Sequence, residues 1–87
     1  MSEFLLELYM SRSDRGAVLD GADRAGLAAQ RLRRDGASIR YLRSIFVPED
    51  ETCLFVYEAA SIDDVRRAAG LAGLPADHIV EALETEA

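Results

Sequence analysis

Strict alternation of apolar and other residues marks the start of the chain. From Glu3 onward, every second residue is strongly apolar, at Phe4, Leu6, Leu8 and Met10. A period of two residues places these side chains on one face of a β-strand. The pattern therefore predicts a first strand over residues 3–10, with Leu5, Glu7 and Tyr9 on its other face.

A helical repeat follows a short linking segment. We expect this helix to begin near Asp20, because Asp20 and Asp23 would place carboxylates beside the unpaired N–H groups of a helix N-terminus. Its apolar stripe has the spacing i, i+3, i+4 and i+7 and consists of Ala25, Ala28, Ala29 and Leu32. Gly36 is expected to end the helix at about Asp35.

Two segments rich in β-branched and aromatic residues come next, at 39–47 and 52–58, and Pro48-Glu49-Asp50-Glu51 separates them. This arrangement predicts a β-hairpin with a solvated acidic tip. The less favoured alternative is that this acidic turn is a charge-paired or metal-touching loop. The second strand alternates Leu54 and Val56 with Cys53, Phe55 and Tyr57, so both of its faces are partly apolar. We therefore expect that strand to lie in the middle of its sheet.

The last third of the chain predicts a second helix and a short strand. Ser61, with Asp64 three residues later, is typical of a helix N-cap, and the helical spacing recurs at Val65, Ala68, Ala69 and Ala72. Gly73-Leu74-Pro75 is expected to end the helix, and a strand follows from His78 to Leu83.

The predicted elements follow the order β-α-β-β-α-β. That order is typical of an α+β, ferredoxin-like fold, in which both helices cover one face of a four-stranded antiparallel sheet. A chain of 87 residues suits one domain with one core, so we expect residues 1–87 to form a single domain.

The sheet face without helices is expected to be unusually apolar. We place the side chains of Leu5, Tyr9, Cys53, Phe55 and Tyr57 on that face. Because monomers rarely expose so much contiguous apolar surface, we expect a homodimer that buries it.

Several residues are candidates for binding a small ligand in the crevice beside the sheet or between protomers. They are Glu7, Tyr9, Arg43, Cys53 and Tyr57. Arg40 and Arg43 are separated by an odd number of positions, so we expect their side chains to lie on opposite faces of the strand. Cys53 has no histidine near it in the sequence, which favours a buried or interface thiol over a nucleophile.

Charge and composition exclude some classes of partner. The formal net charge of −6 opposes binding to phosphate backbones, and the strand DETCLFVYE lacks the basic and glycine positions of RNA-recognition modules. No segment approaches the roughly 20 apolar residues that span a bilayer, and MSEFLLELYM lacks signal-peptide features. We therefore expect a cytoplasmic chain with neither a nucleic-acid nor a membrane partner. A single cysteine, Cys53, excludes an intramolecular disulfide.

The hairpin sequence RYLRSIFVPEDETCLFVYEA, followed by Ser61, Val65, the helix-ending GLP and IVEA, resembles a family of small ferredoxin-like bacterial proteins. This family was long classed as a domain of unknown function, and it includes a nickel-binding protein. The resemblance extends from Glu3 to about Glu84. It implies the ferredoxin-like fold, a dimer and a capacity to bind a divalent metal.

The chain departs from the nickel-binding members at the positions of their histidines. Those members carry several histidines near the end of the first strand and along both helices, where this chain has YMSRSDR, LAAQRLRR and VRRAAGLAG. Its single histidine is His78. A site for nickel or another divalent metal is therefore expected to depend on His78, with Glu58 and Glu81 as carboxylate ligands or with ligands doubled by a dimer.

Two functional hypotheses follow. The first is a non-catalytic, dimeric protein that binds a metal ion or a small ligand. The alternative is a cofactor-independent enzyme of the dimeric α+β-barrel type, whose site needs only a pocket and one or two polar groups. An RNA-binding module is a third, less favoured hypothesis. We favour the binding protein because the sequence contains no recognisable pair of nucleophile and base.

Overall fold

The structure, a computed structural model, describes residues 1–83 and 85. The elements occur in the predicted order, which confirms the ferredoxin-like βαββαβ fold. Their bounds are Ser2–Tyr9 for β1, Arg15–Arg34 for α1, Ile39–Val47 for β2, Thr52–Ala59 for β3, Ile62–Leu71 for α2 and Ile79–Ala82 for β4. A short 3-10 helix, Pro48–Asp50, links β2 to β3.

The strands form one antiparallel sheet in the order β2-β3-β1-β4. The prediction that β3 lies in the middle of the sheet is therefore correct. The two helices pack on the same face, because Val65 and Ala68 of α2 and Ala25 of α1 belong to one buried cluster with Phe55 and Tyr57 of β3. None of the helices in residues 1–83 has the length and apolar character of a membrane span.

Helix α1 begins earlier than its sequence indicates. Its N-cap is Asp14, whose side chain accepts a hydrogen bond from the Ala17 N–H at 3.0 Å, whereas Asp20 and Asp23 lie inside the helix. Gly21 lowers the helical propensity of this first part, but it is buried because α1 lies close to Phe55 there. A Cβ atom at position 21 would lie 3.1 Å from Phe55 Cζ. Tertiary packing therefore explains why a glycine lies within this part of the helix.

The two faces of β3 are the reverse of the prediction. Strand β1 pairs with β3 so that Leu6 is opposite Phe55 and Leu5 is opposite Val56. Phe55 and Tyr57 are consequently buried beneath the helices, and so is Cys53. The error arose because alternation shows which residues share a face, but it does not show which face the helices cover when both faces are apolar.

A β-bulge in β2 shows that a second prediction, concerning Arg40 and Arg43, is wrong. The pairing register of β2 with β3 shifts between Tyr41 and Arg43, so Arg40 is opposite Glu58 and Arg43 is opposite Val56. Glu58 and Val56 share a face, so Arg40 and Arg43 also lie on one face, contrary to the expected opposite sides. An extra residue in one strand reverses the parity on which that prediction relied.

The sheet face without helices still carries a continuous apolar surface, which we call the open-face band. Its members are Leu5, Ile45, Leu54, Val56 and Val80. Val56 is only 1% exposed although it is absent from the cluster beneath the helices, so its neighbours in the sheet cover it. Ile45 and Val80 at the two ends of the band are each 42% exposed.

Candidate metal and ligand site

Glu7 and His78 form a close acid–base pair where the pairing of β1 with β4 begins. The Glu7 N–H donates to the His78 carbonyl oxygen at 3.0 Å, which holds the two residues side by side. Their side chains approach each other, with His78 Nε2 lying 3.5 Å from Glu7 Oε2. Both remain open to solvent, at 61% and 47% exposure. An imidazole nitrogen and a carboxylate oxygen are therefore adjacent and accessible.

A second polar group lies farther along β1, around Glu51. The Tyr9 hydroxyl donates to Glu51 Oε2 at 3.3 Å, and the Arg12 N–H donates to the same oxygen at 3.1 Å. The Arg12 guanidinium is 3.6 Å from Glu51 Oε1. Glu51 therefore connects the end of β1 and the following loop to the turn between β2 and β3.

The backbone of Glu51 is in a conformation that residues other than glycine seldom adopt. Its φ is 49°, in the left-handed region, where it ends the 3-10 helix by donating its N–H to the Pro48 carbonyl at 3.0 Å. Its own carbonyl accepts the Met10 N–H at 2.9 Å. Contacts from both of the connected segments thus hold this strained residue.

The pKa of Glu51 is lowered, chiefly because the Arg12 backbone N–H donates to its carboxylate. The charge and side chain of Arg12 and the hydroxyl of Tyr9 act in the same direction, while desolvation opposes them. A lowered pKa means that ionised Glu51 stabilises the fold above its unfolded-state pKa. That stabilisation is lost as the pH falls through the lowered folded-state pKa.

The Glu7–His78 pair and the polar residues around Glu51 line a single open depression of about 350 Å³, which we call the Glu7–His78 pocket. Its polar lining consists of Glu7, Tyr9, Asp50, Glu51, Thr52 and His78. The structure thus brings together the predicted metal ligand His78 and the predicted ligand-binding residues Glu7 and Tyr9.

The other two predicted metal ligands lie elsewhere. Glu58 and Glu81 line a separate depression together with Glu3, near the start of β1. His78 adjoins Glu7, four residues along the strand from Glu3, a separation of about 13 Å at the usual rise per residue. The predicted set of His78, Glu58 and Glu81 therefore does not form one cluster within a protomer. Nowhere in residues 1–83 do three His, Cys, Asp or Glu side chains converge as a metal site.

The remaining predicted ligand-binding residues are also separate from the pocket. Arg43 is exposed on β2, opposite Val56. Cys53 and Tyr57 are fully buried beneath the helices, so a ligand on the open face cannot reach them. Burial raises the pKa of the Cys53 thiol, which disfavours a nucleophilic thiolate.

The Tyr57 hydroxyl is buried without a hydrogen-bond partner among the described residues. Burial, with a smaller contribution from nearby Tyr41, raises the pKa of the Tyr57 phenol. Because an unsatisfied buried hydroxyl costs free energy, we expect Tyr57→Phe to raise the free energy of unfolding by about 1 kcal/mol. Urea denaturation followed by circular dichroism measures this change. A destabilised variant would show that the hydroxyl has a partner, such as a buried water molecule.

Sequence reasoning did not identify Arg12, and it favoured a solvated turn over a charge-paired one for the segment that contains Glu51. Their contact joins residues 39 positions apart, with helix α1, strand β2 and the short 3-10 helix between them in the chain. No local spacing or periodicity indicates such a contact, and the only sequence signal was that Glu51 belongs to a turn beside a strand end.

Two donor types in the Glu7–His78 pocket are ones that divalent cations bind. Imidazole nitrogen suits nickel, and carboxylate oxygen suits a wide range of divalent ions. His78 and Glu7 are in place as two adjacent donors, and Asp50 and Glu51 line the same depression. The pocket therefore offers two adjacent donors of types that divalent cations accept, while no third His, Cys, Asp or Glu side chain converges on them among residues 1–83.

Comparisons with known proteins agree with this fold. Residues 9–82 match the sequence model of a family described as nickel responsive protein SCO4226-like. The crystal structure of SCO4226 from Streptomyces coelicolor A3(2) aligns with a TM-score of 0.71 at 24% sequence identity, over 98% of this chain and 100% of that one. At this identity, the structural likeness shows the fold. No curated protein matches the chain.

Proposed function

This chain belongs to the SCO4226-like family of nickel responsive proteins, and from that premise we propose that it is a non-catalytic protein that binds a divalent cation, with nickel as the first candidate. His78 and Glu7 would hold the cation in the Glu7–His78 pocket. A bound cation would supply positive charge between these donors, and the protein would catalyse no reaction.

The observation that carries this proposal is the 3.5 Å approach of His78 Nε2 to Glu7 Oε2 on an accessible surface. His78 is the single imidazole of the chain. The neighbouring carboxylates of Asp50 and Glu51 make the surroundings of this pair acidic, which favours a cation. A site with one imidazole and several carboxylates is also open to harder ions such as Mg²⁺ or Mn²⁺.

The enzyme hypothesis has no comparable support. The single cysteine, Cys53, is buried, and His78 is paired with Glu7 rather than with a nucleophile. A general acid or base acting alone would need a substrate pocket, whereas the Glu7–His78 pocket is a shallow surface depression.

We expect His78→Ala to reduce nickel affinity at least tenfold, because the substitution removes the imidazole donor and leaves only carboxylates. Isothermal titration calorimetry of nickel into wild-type and variant protein at pH 7.5 measures the change. Glu58→Gln is the matched control, since Glu58 is the predicted ligand that lies outside the pocket. Unchanged nickel affinity in the His78 variant would exclude the pocket as the nickel site, whereas an equal loss in the Glu58 variant would point to a site shared between protomers.

We further propose that the protein is a homodimer whose interface is the open-face band. Ile45 and Val80 are each 42% exposed, and the partly exposed Leu5 and Leu54 join them across the sheet. Contiguous apolar residues on a sheet face without helices favour burial against another surface. A second copy presents the same surface and can therefore form a symmetric interface.

A further inference from the structure

Helices α1 and α2 leave a groove between them that is open to solvent, which we call the α1–α2 groove. It consists of two adjoining depressions, of about 240 and 430 Å³, which share Arg31 of α1 and Leu71 of α2 in their linings. Leu27 and Leu71 remain 66% and 49% exposed there. Arg24 fastens the two helices together at one end of the groove, because its guanidinium donates to the Ala72 carbonyl oxygen at 2.8 Å.

The two helices carry most of the positive charge of an acidic chain. Seven of the ten arginines and only four aspartates lie within the helix bounds, although the whole chain has a formal net charge of −6. Arg31 is exposed where the two depressions adjoin, and it forms no ion pair among the described residues. Arg67, which lines the larger depression, is paired with Asp64 at 3.3 Å, and Asp35 is the carboxylate in that lining. The groove therefore presents an unpaired guanidinium beside two exposed leucines.

Gly70 leaves part of the groove open, and the fold of the protomer does not require a glycine there. It lies in the last turn of α2 and lines the larger depression. Its backbone is not left-handed, and the glycine with positive φ that follows the helix is Gly73. A Cβ atom at position 70 would have no heavy atom within 4 Å beyond its chain neighbours and its own helix backbone. Glycine lowers helical propensity but lets the backbone of a ligand approach closely, so an occupant of the groove would explain this residue.

We propose that the α1–α2 groove binds a short acidic segment of a partner protein, with apolar side chains against Leu27 and Leu71 and a carboxylate against Arg31. Leu27 precedes Arg31 by one helical turn, and Leu71 lies on the other helix of the groove. Recognition of a segment in a groove between helices uses apolar anchors for affinity, and charges at the groove fix the orientation of the segment.

Charge and shape favour this occupant over others. The excess of arginines on the helices attracts carboxylates, whereas the net negative charge of the chain as a whole opposes a bilayer or a nucleic acid with an extended anionic surface. The depressions follow the line between two helices, a shape that a narrow segment fills and a flat bilayer does not. This inference does not rest on the proposed function, because the Glu7–His78 pocket lies where β1 pairs with β4 and not on the helices.

Selection from a displayed library of random peptides of about 12 residues, enough for three helical turns, tests the proposal. The selection uses the full chain in the presence of EDTA. Enriched peptides are expected to combine Asp or Glu with large apolar residues. The most enriched peptide, synthesised with a fluorescent label, then serves as the probe in anisotropy titrations.

Arg31→Glu and Gly70→Leu are each expected to weaken binding of the labelled peptide about tenfold or more. The first substitution reverses the charge that faces the carboxylate, and the second places a side chain in the open space of the groove. Arg33→Glu is the matched control, because it makes the same change of charge in the same turn of α1 but lies in a separate depression with Gln30. Its affinity should stay within about twofold of the wild type. Circular dichroism verifies the fold of each variant.

An equal loss in the Arg33→Glu variant, an undiminished affinity of the Gly70→Leu variant, or enriched peptides without carboxylates would overturn the proposal. A selection that enriches no peptide would also overturn it. Binding to phosphatidylserine-containing vesicles, or self-association that Gly70→Leu abolishes, would then assign the groove to a membrane surface or to a second copy of the chain. Any of these failures would leave the proposed cation function intact, because the peptide titrations contain no free divalent cation.

Discussion

Phe55→Ala is expected to lower the free energy of unfolding by about 3–5 kcal/mol, the largest effect that we predict for a single substitution. Phe55 is fully buried at the centre of the sheet, beneath α1. Its removal would leave a cavity that Gly21, which has no side chain, cannot fill. A small domain has a total stability of about 5–15 kcal/mol, so the variant should be close to the limit of folding at 37 °C.

Urea denaturation monitored by circular dichroism measures this loss, and Leu27→Ala on the exposed surface of α1 provides a control that should change stability little. A double-mutant cycle with Gly21→Ala sharpens the test. A Cβ at position 21 would lie 3.1 Å from Phe55 Cζ, so Gly21→Ala should be less favourable in the wild type than in the Phe55→Ala background. Additive effects of the two substitutions would contradict the close packing of α1 on Phe55.

Ile45→Asp is expected to weaken the proposed homodimer about a hundredfold, because it would place a charge within the proposed apolar interface. Ile45 is exposed in the protomer and lies at one end of the open-face band, opposite Leu54. The substitution should therefore affect association more than the folding of the protomer. Sedimentation velocity over a micromolar concentration range measures the change, with circular dichroism to verify the fold.

Leu27→Asp is the matched control for this experiment, since Leu27 is an exposed leucine on the helical side of the molecule. It should leave the dimer unchanged. A wild type that sediments as a monomer would reject the dimer proposal. A dimer that tolerates Ile45→Asp but dissociates with Leu27→Asp would place the interface on the helices instead.

The Ile45→Asp variant also tests whether cation binding depends on dimerisation. The Glu7–His78 pocket lies within one protomer, so a monomeric Ile45 variant should retain nickel binding if the pocket is sufficient. Loss of nickel binding together with the dimer would show that donors from both protomers contribute. That outcome would connect Glu58 and Glu81, which lie apart from His78 within a protomer, to a shared site.

Local sequence determined the elements and their order. The period of two residues in β1, the cap at Ser61 and the helical stripe from Ala25 to Leu32 each depend on neighbours within a few positions. The bounds of β2 at Ile39–Val47 match the prediction, because β-branched and aromatic residues are favoured in an extended strand. The order of the elements, in turn, left the ferredoxin-like fold as the expected arrangement.

Only the tertiary structure decided which face of β3 meets the helices, because both faces are apolar and alternation alone has no preferred phase. Likewise, the bulge before Arg43 depends on pairing with β3 and reversed the expected side of that arginine. The site shows the same division. The sequence indicated His78, Glu7 and Tyr9 by residue type. Their placement close to Glu51 and Arg12, however, depends on pairing between strands that are distant in the sequence. Local propensities extend over a few residues, whereas a site between a strand end and a distant turn exists only after the sheet has formed.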